Sequence, residues 1–336
     1  MRLPVLAVIA LGLAGCAAAT GRITAHTAKG VARWTAGTPS SKVLDVSGPR
    51  RDGMIVVATA GRLALLSPGG GLRPFARGPG GYVSPGGEEP YIAVSSGERG
   101  PGCTFPTGTV YALRLRNGPG VTAIDAAGRS RRFDNLPART RENGIAFDTT
   151  GRFGHRLLVT ATVASKTSVY AIDCRGTFTT LTRSAPRVEG GIAVAPATFG
   201  RFAGDLIAPD EITGRIYAIA PDGSSRLLGD SGLPHGQDIG VESLGFVPAG
   251  FGAGDSALLA DRFTPGNRHP GDGVILRLGA AQLAGAGVRP GDLLIASEGG
   301  ALTDAVTCGS SCRIRHVADG PSIAHGEGHI AFIGGG

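Results

Sequence analysis

Short apolar runs recur along the chain, each bounded by Gly, Pro or Asp. Examples are Met54-Ile-Val-Val-Ala58, Leu157-Leu-Val-Thr160, Asp205-Leu-Ile-Ala208, Ala257-Leu-Leu-Ala260 and Leu293-Leu-Ile-Ala296. Runs this short between turn residues predict strands. Helical periodicity is nearly absent; the one short helix it predicts is Ala280 to Ala284, stopped by Gly285.

The strands recur as phrases. An acid precedes a short apolar strand in Glu89-Pro-Tyr-Ile-Ala-Val94, Glu142-Asn-Gly-Ile-Ala-Phe147, Glu189-Gly-Gly-Ile-Ala-Val194 and Glu327-Gly-His-Ile-Ala-Phe332. A looser copy is Glu242-Ser-Leu-Gly-Phe246, and the acids are spaced by 53, 47, 53 and 85 residues. A third strand follows in Val169-Tyr-Ala-Ile-Asp173 and Ile216-Tyr-Ala-Ile-Ala220, and a fourth in Thr177-Phe-Thr-Thr-Leu181 and Ser225-Arg-Leu-Leu228. Four short strands in each unit of ~50 residues predict an all-β fold, a single β-propeller.

The chain ends predict how the ring closes. Glu327 to Ile333 has no room for three more strands after it, whereas the strands at Met54, Leu63 and Leu72 show no acid-first phrase before them. Pairing the C-terminal first strand with these N-terminal strands would remove the open sheet edge. Six blades are favoured on length. Five blades with an insertion are the alternative, because the interval from Glu242 to Glu327 is nearly two repeats.

The N-terminus changes the setting. Met1-Arg2, an apolar run from Leu3 to Leu13 and small residues before Cys16 define an export signal. Leu13-Ala14-Gly15-Cys16 resembles the bacterial lipobox, which implies diacylation of Cys16. The expected organisation is a lipoprotein signal peptide over 1–15, a lipidated flexible tether over 16–41 and the propeller over 42–336. The expected location is the outer face of the bacterial cytoplasmic membrane. Four cysteines remain, and an even number in an exported chain argues for disulfides. Cys308 and Cys312 would close a tight hairpin; Cys103 with Cys174 would close a long loop.

Composition adds two exclusions. The formal charge of +7 comes mostly from arginines spread singly, so no basic patch with interleaved aromatics suggests nucleic acid. Neither a phosphate loop ending in Gly-Lys-Ser/Thr nor a Gly-x-Ser-x-Gly elbow occurs. Partners are therefore expected to be the membrane through the lipid and a small polar ligand or envelope protein, with the chain a monomer.

In a propeller, residues just before each first strand meet at one channel mouth. This predicts an acidic ring of Glu89, Glu142, Glu189, Glu242 and Glu327, with Asn143 beside it. Carboxylates ~7 Å apart repel by roughly 2–3 kcal/mol per pair at an effective dielectric of 20. Arginines, protons or a hard divalent cation would compensate, and calcium suits oxygen ligands in irregular geometry best. The loops Asp210 to Gly214 and Asp261 to Asp272 are expected at the same mouth. So are His235, His269, His325 and His329, candidates for a general base. All four remaining cysteines are expected on the opposite face.

Arg141-Glu-Asn-Gly-Ile-Ala-Phe-Asp148 and Gly326-Glu-Gly-His-Ile-Ala-Phe332 resemble first-strand phrases of the regucalcin/gluconolactonase propellers. The resemblance implies six blades, one central divalent cation held by residues such as Asn143 and Glu327, and sugar-lactone hydrolysis in enzymatic members. Glu189 and Glu242 stand where that family has an asparagine and an aspartate base. Three functions follow as expectations: a cation-containing binding propeller, a metal-dependent lactone or ester hydrolase, or a purely structural envelope propeller.

Overall fold

The computed structural model describes residues 30–60, 62–76, 89–115 and 118–335. The expected signal peptide, Cys16 and the expected tether up to residue 29 lie outside the described residues. Among the described residues, no helix is long and apolar enough to cross a membrane.

The architecture is all-β and propeller-like. Four sheets have four strands each. The first contains Val43–Ser47, Ile55–Thr59, Arg62–Leu66 and Leu72–Phe75; the second Ile92–Val94, Val110–Leu113, Gly120–Ile124 and Ser130–Asn135. The third runs through Glu142–Phe147, Leu157–Val163, Lys166–Ile172 and Phe178–Pro186, and the fourth through Ala193–Val194, Leu206–Asp210, Arg215–Ile219 and Ser225–Asp230. Within each, neighbouring strands are antiparallel. Middle strands read as apolar runs because sheets pack against both their faces. Ile55–Thr59 and Leu157–Val163 are almost wholly buried, whereas the outer strand Ser225–Asp230 is largely exposed.

Arg99–Gly100 and Cys103–Thr104 pair as a small two-stranded sheet, and the other nine strands form one sheet made of two interleaved groups. From Val241–Phe246 the chain leaves to build Ser256–Asp261, which pairs with the C-terminal strand Gly326–Ile333, and Val274–Gly279, which pairs with the other edge of Ser256–Asp261. It then passes through the helix Ala280–Gly285 and returns with Leu293–Ser297, Thr303–Cys308 and Cys312–Asp319 to complete the group around Val241–Phe246. One parallel bridge, Leu244 to His329, joins the two groups.

This path corrects the expected closure. The C-terminal strand pairs with Ser256–Asp261, not with the strands near Met54. Those strands have their own inner strand, Val43–Ser47. The N-terminus still takes part in closure, because Thr35–Pro39 adds to the outer edge of Val274–Gly279 and Ala32–Arg33 to Cys312–Asp319. The last residues of the expected tether are therefore strands. The inner strands touch in cyclic order: Val43–Ser47, Ile92–Val94, Glu142–Phe147, Ala193–Val194, Val241–Phe246, Gly326–Ile333 and back to Val43–Ser47.

A repeated turn sets the spacing of neighbouring sheets. Gly128, Gly176 and Gly223 each follow a third strand with φ near +85° (+86°, +84° and +83°). Each presses on the outer strand of the preceding sheet or the residue that follows it. A Cβ at Gly176 would collide with the Phe133 carbonyl, one at Gly223 with the Leu181 carbonyl and one at Gly128 with the Ala76 backbone. Only glycine takes this backbone conformation without cost and leaves that space.

Both disulfides form. Cys103–Cys174, with Cα atoms 5.9 Å apart, ties a loop of the second sheet to the hairpin turn of the third. Cys308–Cys312 closes its hairpin with Cα atoms 4.1 Å apart. Both lie on the face opposite the acids, as expected.

Candidate functional site

The inner strands carry their acids to one mouth of the channel. Glu242 and Glu327 are each the second residue of an inner strand, and Glu89 lies three residues before Ile92–Val94. Glu89, Glu242 and Glu327 each offer one carboxylate oxygen within 4.8 Å of the others. Glu298, His325 and Glu327 form a second such trio. Glu327 belongs to both and is fully buried.

Two cations serve this cluster. Arg262 Nη1 donates to Glu327 Oε1 at 2.7 Å and to Glu89 Oε1 at 3.2 Å. His325 Nε2 lies 2.7 Å from Glu298 Oε1 and 3.6 Å from Glu327 Oε1. Its other nitrogen, Nδ1, lies 3.0 Å from the His269 carbonyl. Asp261 places both cations: its carboxylate accepts from the backbone N–H groups of His325 and Asp272, while the Arg262 N–H donates to the His325 carbonyl.

Tyr91 completes the centre. Its hydroxyl lies 2.5 Å from Glu242 Oε1 and 3.0 Å from Glu327 Oε2. Burial, with Glu327 and Glu89 adding repulsion, holds the Glu242 carboxyl well above its ordinary range. The Tyr91 hydroxyl carries one proton, so a protonated Glu242 lets it donate to Glu327. Burial and Glu327 push Glu89 up to about 8 against the pull of Arg262. Burial would raise Glu327 too, but His325 and Arg262 outweigh it and hold that carboxyl below its usual value. Burial opposes the charged form of His325, yet its bonds to Glu298 and Glu327 lift it to about 10.

Four carboxylates thus face two cations, a deficit of two charges. Protons on Glu242 and Glu89 meet that deficit; one divalent cation would meet it as well. The donors are oxygen atoms of carboxylates, the chemistry a hard cation prefers. The donor set therefore fits a hard divalent cation, with Glu89, Glu242 and Glu327 as the residues that would hold it.

The other predicted ring members stand to one side. Glu189 Oε2 accepts from Arg187 at 2.6 Å, and the same guanidinium reaches Glu211 at 3.4 Å. Burial, then Glu298 and Glu189, pushes Glu211 up to about 7. Asn143 donates to the Val188 carbonyl at 2.7 Å and accepts from Thr160 at 3.2 Å. Glu142 is buried with Oε1 unpartnered, and burial raises it to about 7. Glu142, Asn143, Glu189 and Glu89 nevertheless share one cleft of about 960 Å³, with Arg141 and Arg187 on its walls.

The four histidines separate. His325 sits within the cluster, and His329 lies in the channel with both ring nitrogens engaged, by Asp45 and the Ile145 carbonyl. His269 and His235 each use Nδ1 on a backbone carbonyl, those of Ser322 and Leu233. Their Nε2 atoms have no partner among the described residues. Tyr91, Asp45 and Glu298 were not foreseen, whereas Glu211 belongs to the loop Asp210 to Gly214 that was expected at this mouth. A signal for Tyr91 existed: it holds the third place of the acid-first phrase, as His329 does, while Gly144 and Gly191 leave that place empty.

No known sequence family matches this chain, and no curated protein does. Solved structures similar to it include a virginiamycin B lyase from Staphylococcus aureus, with 12% identity and TM-score 0.44 over 72% of this chain and 67% of that one. A calcium-binding regucalcin from Agrobacterium tumefaciens has 16% identity and TM-score 0.37 over 70% and 74%. A gluconolactonase-family protein has 18% identity and TM-score 0.38 over 68% and 71%. The structural neighbours thus include propellers of the gluconolactonase and regucalcin kind.

Proposed function

We propose that this chain is an exported, lipid-anchored, six-bladed propeller that holds a calcium ion among Glu89, Glu242 and Glu327. The ion would sit beside the 960 Å³ cleft and meet a small polar or carbohydrate-like ligand there. The observation that carries this reading is the convergence of three carboxylates within 4.8 Å in a cluster two positive charges short of neutrality. Six inner strands in cyclic contact and six hydrophobic clusters between neighbouring strand groups support six blades. The anchor rests on Cys16 and its preceding residues, and the two disulfides agree with export.

The test is thermal unfolding of the full chain with calcium and with EDTA. A rise in melting temperature with calcium supports the site; identical curves reject it and leave a structural propeller. The anchor is tested separately by Cys16→Ser, which should release the protein or leave its signal uncleaved; unchanged membrane retention would contradict it.

One observation favours the metal-dependent lactone or ester hydrolase as a second reading. Glu89, with its side chain 25% exposed, lies between the cluster and the cleft and is raised to about 8. A cation held by Glu89 would face the cleft, where it would polarise the carbonyl of a lactone or ester. Turnover of a lactone panel with and without divalent ions, lost in Glu89→Gln, decides between binding and catalysis.

A further inference from the structure

The face opposite the acidic mouth carries a second cleft, of about 440 Å³. Arg289, Arg313 and Arg315 line it together with Asp292 and Ser311. Its walls are the segment after the helix Ala280–Gly285 and the hairpin from Thr303–Cys308 to Cys312–Asp319, whose turn the Cys308–Cys312 bond closes.

Asp292 is the one acid among the lining residues, and its oxygens are taken. Oδ1 accepts from the Thr307 hydroxyl at 2.6 Å, and Oδ2 from the Arg289 backbone N–H at 2.9 Å and the Arg315 guanidinium at 3.2 Å. Arg315 also donates to the Gly287 carbonyl at 2.6 Å, so it is a fixed part of the floor. Arg315 and Asp292 cancel in charge. What remains is the pair Arg289 and Arg313, both exposed, with no side-chain acceptor for either guanidinium among the described residues.

We propose that this cleft binds a phosphate group, with Arg289 and Arg313 as its donors, Ser311 as a third and Arg315 as the floor. Guanidinium forks match phosphate oxygens two at a time. A phosphomonoester carries about −1.5 to −2 charge at neutral pH, which suits two uncompensated guanidiniums better than a carboxylate does. The volume lies within the roughly 300–1,000 Å³ of small-molecule pockets and leaves room for the group that bears the phosphate. The bearer is either a soluble phosphomonoester or a lipid whose headgroup is a phosphomonoester.

The experiment uses the full chain carrying Cys16→Ser, so that the anchor contributes no membrane affinity. Titration calorimetry with inorganic phosphate at low salt is one arm; co-flotation with phosphatidic acid vesicles, against phosphatidylcholine vesicles, is the other. Binding in either arm, weakened at least tenfold by R289Q with R313Q, supports the site. The arm in which it occurs names the source. Both side chains are exposed, so the variant should keep the parent's melting temperature. Absence of binding in both arms, or equal binding by the double variant, overturns the proposal.

Discussion

The His329 imidazole spans the channel to Asp45, its Nδ1 lying 3.0 Å from each carboxylate oxygen while Nε2 lies 3.0 Å from the Ile145 carbonyl. The same carboxylate accepts the backbone N–H groups of Val46, Ile92 and His329. This one contact therefore links inner strands of the first, second, third and closing strand groups. Both ring nitrogens face acceptors, and against the opposing effect of burial Asp45 raises the imidazole above its ordinary value, which favours the charged ring.

Removing the carboxylate should loosen the whole ring. Asp45 is fully buried, and leaving one partner of a buried pair unmatched costs about 3–5 kcal/mol. Asp45→Ala should lower the denaturant midpoint accordingly, with unfolding still cooperative. An unchanged midpoint would show that the contact only fills the channel.

The acidic cluster predicts a pH dependence of defined sign. Burial and like charge raise Glu89 to about 8 and Glu242 well above its ordinary value. A carboxyl raised in the folded state contributes stability below its unfolded value of ~4.3 and loses it as pH rises through the folded value. With EDTA, melting temperature should fall between about pH 5 and pH 9, and calcium should flatten the fall by replacing the protons. Parallel curves with and without calcium would contradict this.

Arg262 should matter most when no cation is bound. Its guanidinium serves Glu327 and Glu89, and Glu327 is fully buried. Arg262→Gln should destabilise the metal-free protein by roughly 3–5 kcal/mol, and calcium should recover part of that loss. Equal losses with and without calcium would separate Arg262 from the cation.

The two disulfides should differ in effect. Their sequence separations are 71 for Cys103–Cys174 and 4 for Cys308–Cys312. The chain-entropy model then assigns about 4 and about 2 kcal/mol. Serine pairs at each position, compared by denaturant midpoint, check the order.

Much of the fold was readable because each inner strand of the acid-first type announces itself. Glu89, Glu142, Glu189, Glu242 and Glu327 all stand at the mouth end of inner strands or their entry. Val43–Ser47 escaped because its acid, Asp45, lies inside the strand rather than before it. The interleaved closure was hidden for a different reason. Ser256–Asp261 follows Val241–Phe246 along the chain as an ordinary second strand would, and nothing local marks that it pairs with Gly326–Ile333 instead. At the site, charge type was legible and partnership was not: that Arg262, rather than a nearer arginine, reaches Glu327 depends on a fold contact 65 residues apart in sequence.

The central claim is tested most directly by calorimetric titration of calcium into the full chain at pH 8, beside Glu327→Gln. One calcium ion per chain in the parent, with affinity lowered at least tenfold in the variant, is the predicted result. No binding in the parent, or equal affinity in both, would contradict a cation held by Glu89, Glu242 and Glu327.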